Sequence, residues 1–261
     1  MRVPIWQVDA FASEPFGGNP AAVCMLDQWL PDPLLQAIAA ENNLSETAFV
    51  VRGENGYELR WMTPTVEVDL CGHATLAAGF VLLREWERDS GRVRFATRSG
   101  PVEVLRDDDR YVLDFPSRPP EPCEAPERLA ETLGGEPQEV QHAAGNHLAL
   151  FADTQQVADL RPDFVLMMAL PSFGVIATAP GDDVDFVSRY FAPKAGVPED
   201  PVTGSTHTTL TPYWARKLDK PKLRARQISR RGGELFLEDC GERVRIGGYA
   251  ALYLEGSIEI G

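Results

Sequence analysis

Cysteine is scarce. The 261 residues hold four, Cys24, Cys71, Cys123 and Cys240, with no C-x-x-C among them. That excludes a disulfide scaffold and a cysteine-built zinc module, and it points to reduced thiols in a cytoplasmic protein. The four histidines, His73, His142, His147 and His207, include no two at i,i+4 and none at metal spacing to a cysteine, so no metal site is expected. Long apolar runs are missing as well. The longest, Ala74 to Leu83, is ten residues, against about 20 for a bilayer span. The opening MRVPIWQVDAF is interrupted by Asp9 with no small-residue cleavage site after it, so it is not expected to be a signal peptide. Positive charge is in deficit: 25 Lys and Arg face 39 Asp and Glu, a formal net charge of -14. Such a surface repels nucleic acid and anionic lipid. The phosphate-cradling patterns G-x-G-x-x-G and G-x-x-x-x-G-K-[ST] and the G-x-S-x-G elbow are all absent. What is present, 44% hydrophobic and 25% charged residues, is ordinary for a folded protein of one large or two average domains.

The chain also repeats itself. Gly18-Asn19-Pro20-Ala21-Ala22-Val23 resembles Gly145-Asn146-His147-Leu148-Ala149-Leu150 at an offset of 127, and Ser45 to Val50 falls on Ser172 to Ala177 at the same offset. Arg60-Trp61-Met62-Thr63-Pro64 matches Arg189-Tyr190-Phe191-Ala192-Pro193 at 129, and Cys71-Gly72-His73 matches Thr203-Gly204-Ser205 at 132. Four blocks in one order, with a slowly drifting offset, indicate two copies of one unit. Pro116 to Pro122 carries four prolines in seven residues and reads as a stiff linker. The division is expected there, into lobes 1–117 and 118–261.

Within each copy, short β-branched or aromatic runs bounded by turn residues predict strands around one main helix. In the first copy these are Ile5 to Phe11, Ala21 to Leu26, Thr47 to Val51, Tyr57 to Met62, Val93 to Ala96, Pro101 to Leu105 and Tyr111 to Phe115. His73 to Glu87 predicts the strongest helix, with Leu76, Phe80, Leu83 and Trp86 on one stripe. Leu34 to Asn42 predicts a shorter one after Pro31-Asp32-Pro33, matched in the second copy by Pro126 to Leu133. Ser205 to Lys217 matches the long helix, with Pro212 expected to kink it or to lie in its first turns.

Two glycine turns open the long helices: Cys71-Gly72-His73 and Thr203-Gly204-Ser205. A helix start offers unpaired N–H groups and partial positive charge, and glycine lets a ligand approach, so the pair could grip a carboxylate. Read locally, such residues also simply start helices. Glu46 breaks the repeat, because its counterpart is Phe173. Among Leu44, Ala48 and Phe49 it is expected to be desolvated, with a pKa raised toward neutrality as a general acid/base requires. An exposed or capping glutamate fits the same residues. His73 could shuttle a proton or cap its helix, and Asp200 in Pro198-Glu199-Asp200-Pro201 could be functional or a plain acidic turn.

Val8-Asp9-Ala10-Phe11, Gly18 to Val23, Leu44 to Phe49, Thr63-Pro64, Cys71 to Leu76, Phe191-Ala192-Pro193, Glu199 to Ser205 and Arg230 to Gly233 together resemble the PhzF-like isomerase family, over nearly the whole chain. The resemblance implies a mixed α/β fold like that of diaminopimelate epimerase: two pseudo-symmetric lobes, each a curled sheet around a central helix, with the active site between them. It implies a cofactor-independent isomerase in which Glu46 moves a proton within a small unsaturated or cyclic carboxylic acid. His73, Asp200 and Ser205 would support it, and Gly72, Gly204, Cys71 and Thr203 would line the substrate. A homodimer is implied too. Related racemases use two thiols. Cys71 occupies the first thiol's place but Thr203 the second, which disfavours that chemistry. A racemase using Cys71 with another partner, and a non-catalytic binding protein of the same fold, are the alternatives.

Overall fold

In the computed structural model, which describes residues 1–54 and 56–260, the chain leaves one unit and later returns to it. Met1–Asp114 and Gly247–Gly261 make unit 1, and Phe115–Ile246 make unit 2. Unit 1 is built from β1 (Arg2–Ala10), β2 (Asn19–Leu26), α1 (Asp32–Asn42), β3 (Glu46–Gly53), β4 (Gly56–Met62), β5 (Glu67–Val68), α2 (Gly72–Glu85), β6 (Arg92–Thr97) and β7 (Gly100–Asp107). β8 (Arg110–Pro116) runs out of it. Unit 2 holds β9 (Glu121–Pro122), α3 (Leu129–Leu133), β10 (Glu139–Ala143), β11 (Asn146–Leu150), α4 (Thr154–Asp159), α5 (Phe164–Met167), β12 (Gly174–Pro180), β13 (Phe186–Ala192) and β14 (Val197–Asp200). It continues with α6 (Gly204–Leu218), β15 (Lys222–Gln227) and β16 (Gly233–Asp239). Then β17 (Arg243–Gly248) leads back to β18 (Ala250–Glu259) in unit 1.

The division expected after residue 117 placed the whole C-terminal stretch in the second lobe. Here residues 247–261 belong to unit 1, because β18 lies antiparallel on β1 from Arg2 opposite Glu259 to Ala10 opposite Ala250. That ladder, interrupted by one register shift between Gln7 and Val8, satisfies backbone groups that would otherwise need water. The proline-rich segment is not a free spacer either. Ser117 N–H donates to the Glu242 carbonyl, Arg118 N–H to the Thr208 carbonyl, and β9 pairs with β10.

Each unit repeats one pairing order. In unit 1, β2–β3 is parallel, β3–β4 antiparallel, β4–β6 parallel and β6–β7 antiparallel. In unit 2, β11–β12, β12–β13, β13–β15 and β15–β16 follow the same sequence. α2 lies against β1, β2, β3, β6, β7 and β18, so strands surround it. That explains a departure from the expected single stripe. Ala74, Ala77, Ala78 and Val81 are buried along with Leu76, Leu82 and Leu83, whereas Phe80 is half-buried and Trp86 exposed. A helix apolar on nearly all sides belongs inside a sheet, not on its surface. Gly79 is needed at one close crossing, since a Cβ there would fall 2.5 Å from the Val104 side chain.

The opposite sheet face is covered differently in the two units. In unit 1, α1 packs Leu35, Ile38 and Ala39 on Cys24, Leu26, Phe49 and Val51. In unit 2 the single expected helix is three short ones. Leu129, Leu133, Val157 and Met167 from α3, α4 and α5 pack on Val175, Ala177, Val187 and Phe191. α3 is short because Arg128 before it and Gly134 after it both take left-handed φ, 67° and 73°. Burying one large aliphatic or aromatic side chain stabilises by about 1.5–3 kcal/mol. Pro212 sits inside α6. It has no N–H for the Thr208 carbonyl four residues back, and that carbonyl accepts from Arg118 N–H at 3.0 Å instead. All four cysteines are free. Among the described residues, no helix is long and apolar enough to cross a membrane.

Candidate active site

Parallel pairing of β2 with β3 sets Ala21 opposite Glu46 and brings the starts of both strands to the start of α2. Three side chains meet there. His73 Nε2 lies 3.1 Å from Glu46 Oε2, an ion-pair distance with neither atom in hydrogen-bond alignment. On the ring's other side, Nδ1 is 3.2 Å from Asn19 Nδ2 and 3.5 Å from Cys71 Sγ. Asn19 is fully buried and His73 5% exposed. An amide can present its oxygen or its nitrogen to the ring, so Asn19 can serve the charged or the neutral imidazole.

Burial pushes the Glu46 carboxyl up, but the His73 charge, with short contacts from His73 and Cys71, outweighs it and holds the group below the usual carboxylate range. The expected rise toward neutrality is therefore corrected: desolvation is present, but a buried cation opposes it. For His73, burial works against the charged ring, while Cys71 and Glu46 raise it well above the ordinary imidazole value. Burial and then Glu46 push the Cys71 thiol up to about 11. With the thiol uncharged near neutrality, Glu46 is the neighbour that raises the imidazole, and the two directions favour a carboxylate beside a charged ring, with the Glu46 and His73 side chains 17% and 6% exposed.

Unit 2 places its residues around the start of α6. Thr203 Oγ1 donates to Asp200 Oδ2, Thr203 N–H donates to Gln227 Oε1 at 2.9 Å, and Gln227 Nε2 donates to the Asp200 carbonyl at 2.8 Å. His207 is fully buried, with its pKa lowered to about 4 by burial. As a neutral ring it donates from Nδ1 to the Thr203 carbonyl, 2.7 Å away. Asp200 is half-buried beside Thr203, but Ser205 is exposed, and its carbonyl accepts from Thr208 Oγ1 at 2.7 Å. Gly72 and Gly204 are the first residues of α2 and α6, and neither helix has a side-chain cap hydrogen bond from Cys71 or Thr203. First-turn N–H groups without a cap are suited to an anion.

Three residues near these groups escaped the sequence reading. Asn19 was visible in the repeated Gly-Asn but not as a partner of His73. His207 and Gln227 had no local motif. Among the described residues, Glu46, Cys71 and His73 are the one group of three metal-capable side chains whose donor atoms lie within 4.8 Å of one another. Cys71 faces Nδ1 and Glu46 faces Nε2, so a cation on either nitrogen meets one of them first.

The sequence profile of the phenazine biosynthesis-like protein family matches residues 8–256. An uncharacterized isomerase of Pseudomonas aeruginosa is 53% identical over 260 residues, covering 100% of both chains. A crystal structure of a phenazine biosynthesis protein of the PhzF family from Enterococcus faecalis matches with a TM-score of 0.97 and 46% identity over 100% of each chain. A hydroxyproline epimerase from Agrobacterium vitis matches with a TM-score of 0.63 and 12% identity, over 98% of this chain and 91% of that one, a likeness of fold alone.

Proposed function

The chain belongs to the phenazine biosynthesis-like family and is an isomerase, and from that premise we propose that Glu46 is its proton-transferring base. The observation that carries this reading is the buried contact of Glu46 Oε2 with His73 Nε2 at 3.1 Å. It keeps the carboxylate ionised, and so able to accept a proton, at a side chain only 17% exposed. The substrate class is a small unsaturated or cyclic carboxylic acid. Glu46 takes a proton from a carbon acidified by adjacent unsaturation and returns it elsewhere on the conjugated system. His73 steadies the negative charge that develops. The uncapped first turn at Gly72 suits a substrate carboxylate, as does that at Gly204 within its own unit, and Asp200 and Ser205 are the substrate-orienting groups proposed for unit 2. Cys71 and Thr203 shape the two turns.

A positioned acid/base contributes about 10²–10⁴-fold, and donors aimed at developing charge supply much of the rest. The proton is the substrate's own, and the base and the donors are groups of this chain, so the proposed chemistry calls for no cofactor. Cys71 as a racemase base is disfavoured, because its thiol stays protonated near neutrality and the matching Thr203 hydroxyl is committed to Asp200. A cytoplasmic location and a homodimer complete the proposal; light scattering on eluted protein reads the second directly. To test the catalytic reading, Glu46→Gln is assayed against the parent on a panel of small unsaturated carboxylic acids. The reading requires turnover to fall while ligand affinity and folding persist. Near-normal turnover by the variant refutes it.

A further inference from the structure

Gln227 is fully buried and lies in β15, 24 residues beyond Thr203 in sequence. Its amide orientation is dictated by its partners. The Asp200 carbonyl can only accept, so Nε2 faces it at 2.8 Å; the Thr203 N–H can only donate, so Oε1 faces that at 2.9 Å. With Nε2 so fixed, its second hydrogen points to Thr203 Oγ1 at 3.2 Å. A hydroxyl has one proton. Because Oγ1 receives a donor from Gln227, its own proton must go elsewhere, and it goes to Asp200 Oδ2. The Thr203 carbonyl is also occupied, by Thr206 Oγ1 at 2.9 Å and His207 Nδ1 at 2.7 Å, so the residue has no slack about which to turn.

We infer that Gln227 and Thr203 are positioning residues that act in series, Gln227 on Thr203 and Thr203 on Asp200, to hold Asp200 as an oriented carboxylate. One of its oxygens is committed to the Thr203 hydroxyl. This rests on the reading that Asp200 orients the substrate, but its test does not. A latch that only stabilised the turn would need the backbone contacts of Gln227 and nothing from the Thr203 hydroxyl.

The experiment is a carbon-13 titration of the Asp200 carboxyl in the full chain, comparing the parent with Thr203→Val, Thr203→Ser and Gln227→Met. Removing a donor to the ionised form raises a carboxyl pKa. The Thr203→Val midpoint should lie above the parent's by roughly one pH unit. Thr203→Ser, which keeps the hydroxyl, should restore it, and Gln227→Met should shift it upward by a smaller amount. Thr203→Val exchanges the hydroxyl for a methyl and Thr203→Ser removes only the methyl, so thermal melts of the two separate unfolding from a local effect. If both titrate at the parent midpoint while folded, the hydroxyl does not act on Asp200 and the inference is overturned. Should the shifts appear while Glu46→Gln retains full turnover, the positioning stands and the catalytic reading alone falls.

Discussion

Ahead of each buried helix the two units build the same clamp and then diverge. In unit 1, Arg60 on β4 holds Glu67 through two bonds, 2.7 Å each; in unit 2, Arg189 on β13 holds Glu199 at 2.7 and 3.0 Å. Each glutamate precedes its helix-opening glycine, Gly72 or Gly204, by five residues. An aromatic ring backs each guanidinium, Trp29 in one case and Phe191 in the other. Paired forks of this kind fix geometry as well as supplying energy. The carboxylates that chemistry would use are not repeated. Glu46 opens β3, whereas β12 opens at Gly174 with Phe173 before it. A Cβ at Gly174 would stand 2.7 Å from Tyr190 Oη, so the residue that opens β12 has no room for a side chain, and the aligned Phe173 is 52% exposed. Asp200 follows the clamp of unit 2, whereas Val68 follows that of unit 1. The repeated parts are scaffold, and the unrepeated parts carry the proposed chemistry.

The sharpest way to break this comparison is to remove the unrepeated carboxylate and its counterpart in turn. Glu46→Gln should cost about 10²–10⁴-fold in turnover. Phe173→Ala, at a side chain 52% exposed, should leave turnover and melting near the parent's. Equal effects would mean that the asymmetry is not functional.

Next in size is the clamp itself. Urea unfolding of Arg189→Leu should show a loss of about 3 kcal/mol, since Glu199 is left half-buried without its partner. Arg189 Nη1 also donates to the carbonyls of Val157, Ala158 and Leu160. Arg60→Leu should cost roughly 1 kcal/mol less, because its further partner, Asp32, is 70% exposed. A neutral result for both would demote the shared forks to surface decoration.

The smallest effect is in the pH response of two buried imidazoles, which should have opposite signs. The His73 pKa is raised and the Glu46 pKa lowered in the folded state. His73 therefore adds stability that is full below the ordinary imidazole value and is lost as pH climbs through its raised pKa. Glu46 adds stability that is full above the ordinary carboxylate value and is lost as pH drops through its lowered one. His207, lowered to about 4, does the reverse of His73: its contribution is full above the ordinary imidazole value and is lost as pH falls from there to about 4. Nitrogen-15 spectra at pH 7 should show His73 charged and His207 neutral. A neutral His73 would remove the partner that keeps Glu46 ionised.

Much of this was readable before any coordinates. The repeat, the two glycine turns and the break at Glu46 are local patterns, and periodicity placed the strands of the first copy and both long helices within a few residues. What escaped depends on contacts between distant segments. Nothing near residue 250 says that β18 will pair with β1. Nothing near Gln227 says that it will meet Thr203. Glu46 was read as desolvated with a raised pKa. Its burial was inferred from its neighbours in sequence, but the cation beside it, His73, lies 27 residues on. Pro212 was expected to disturb α6; the freed Thr208 carbonyl is instead taken by Arg118, a donor no local pattern reveals.

The most direct test of Glu46 as the proton carrier is isotopic. A substrate found in the acid panel is deuterated at the carbon that loses the proton and incubated with the parent or with Glu46→Gln, and deuterium at the carbon that gains it is counted by mass spectrometry. The account predicts deuterium carried to that carbon by the parent and a rate lower by at least about 10²-fold with the variant. Equal rates of transfer would contradict it.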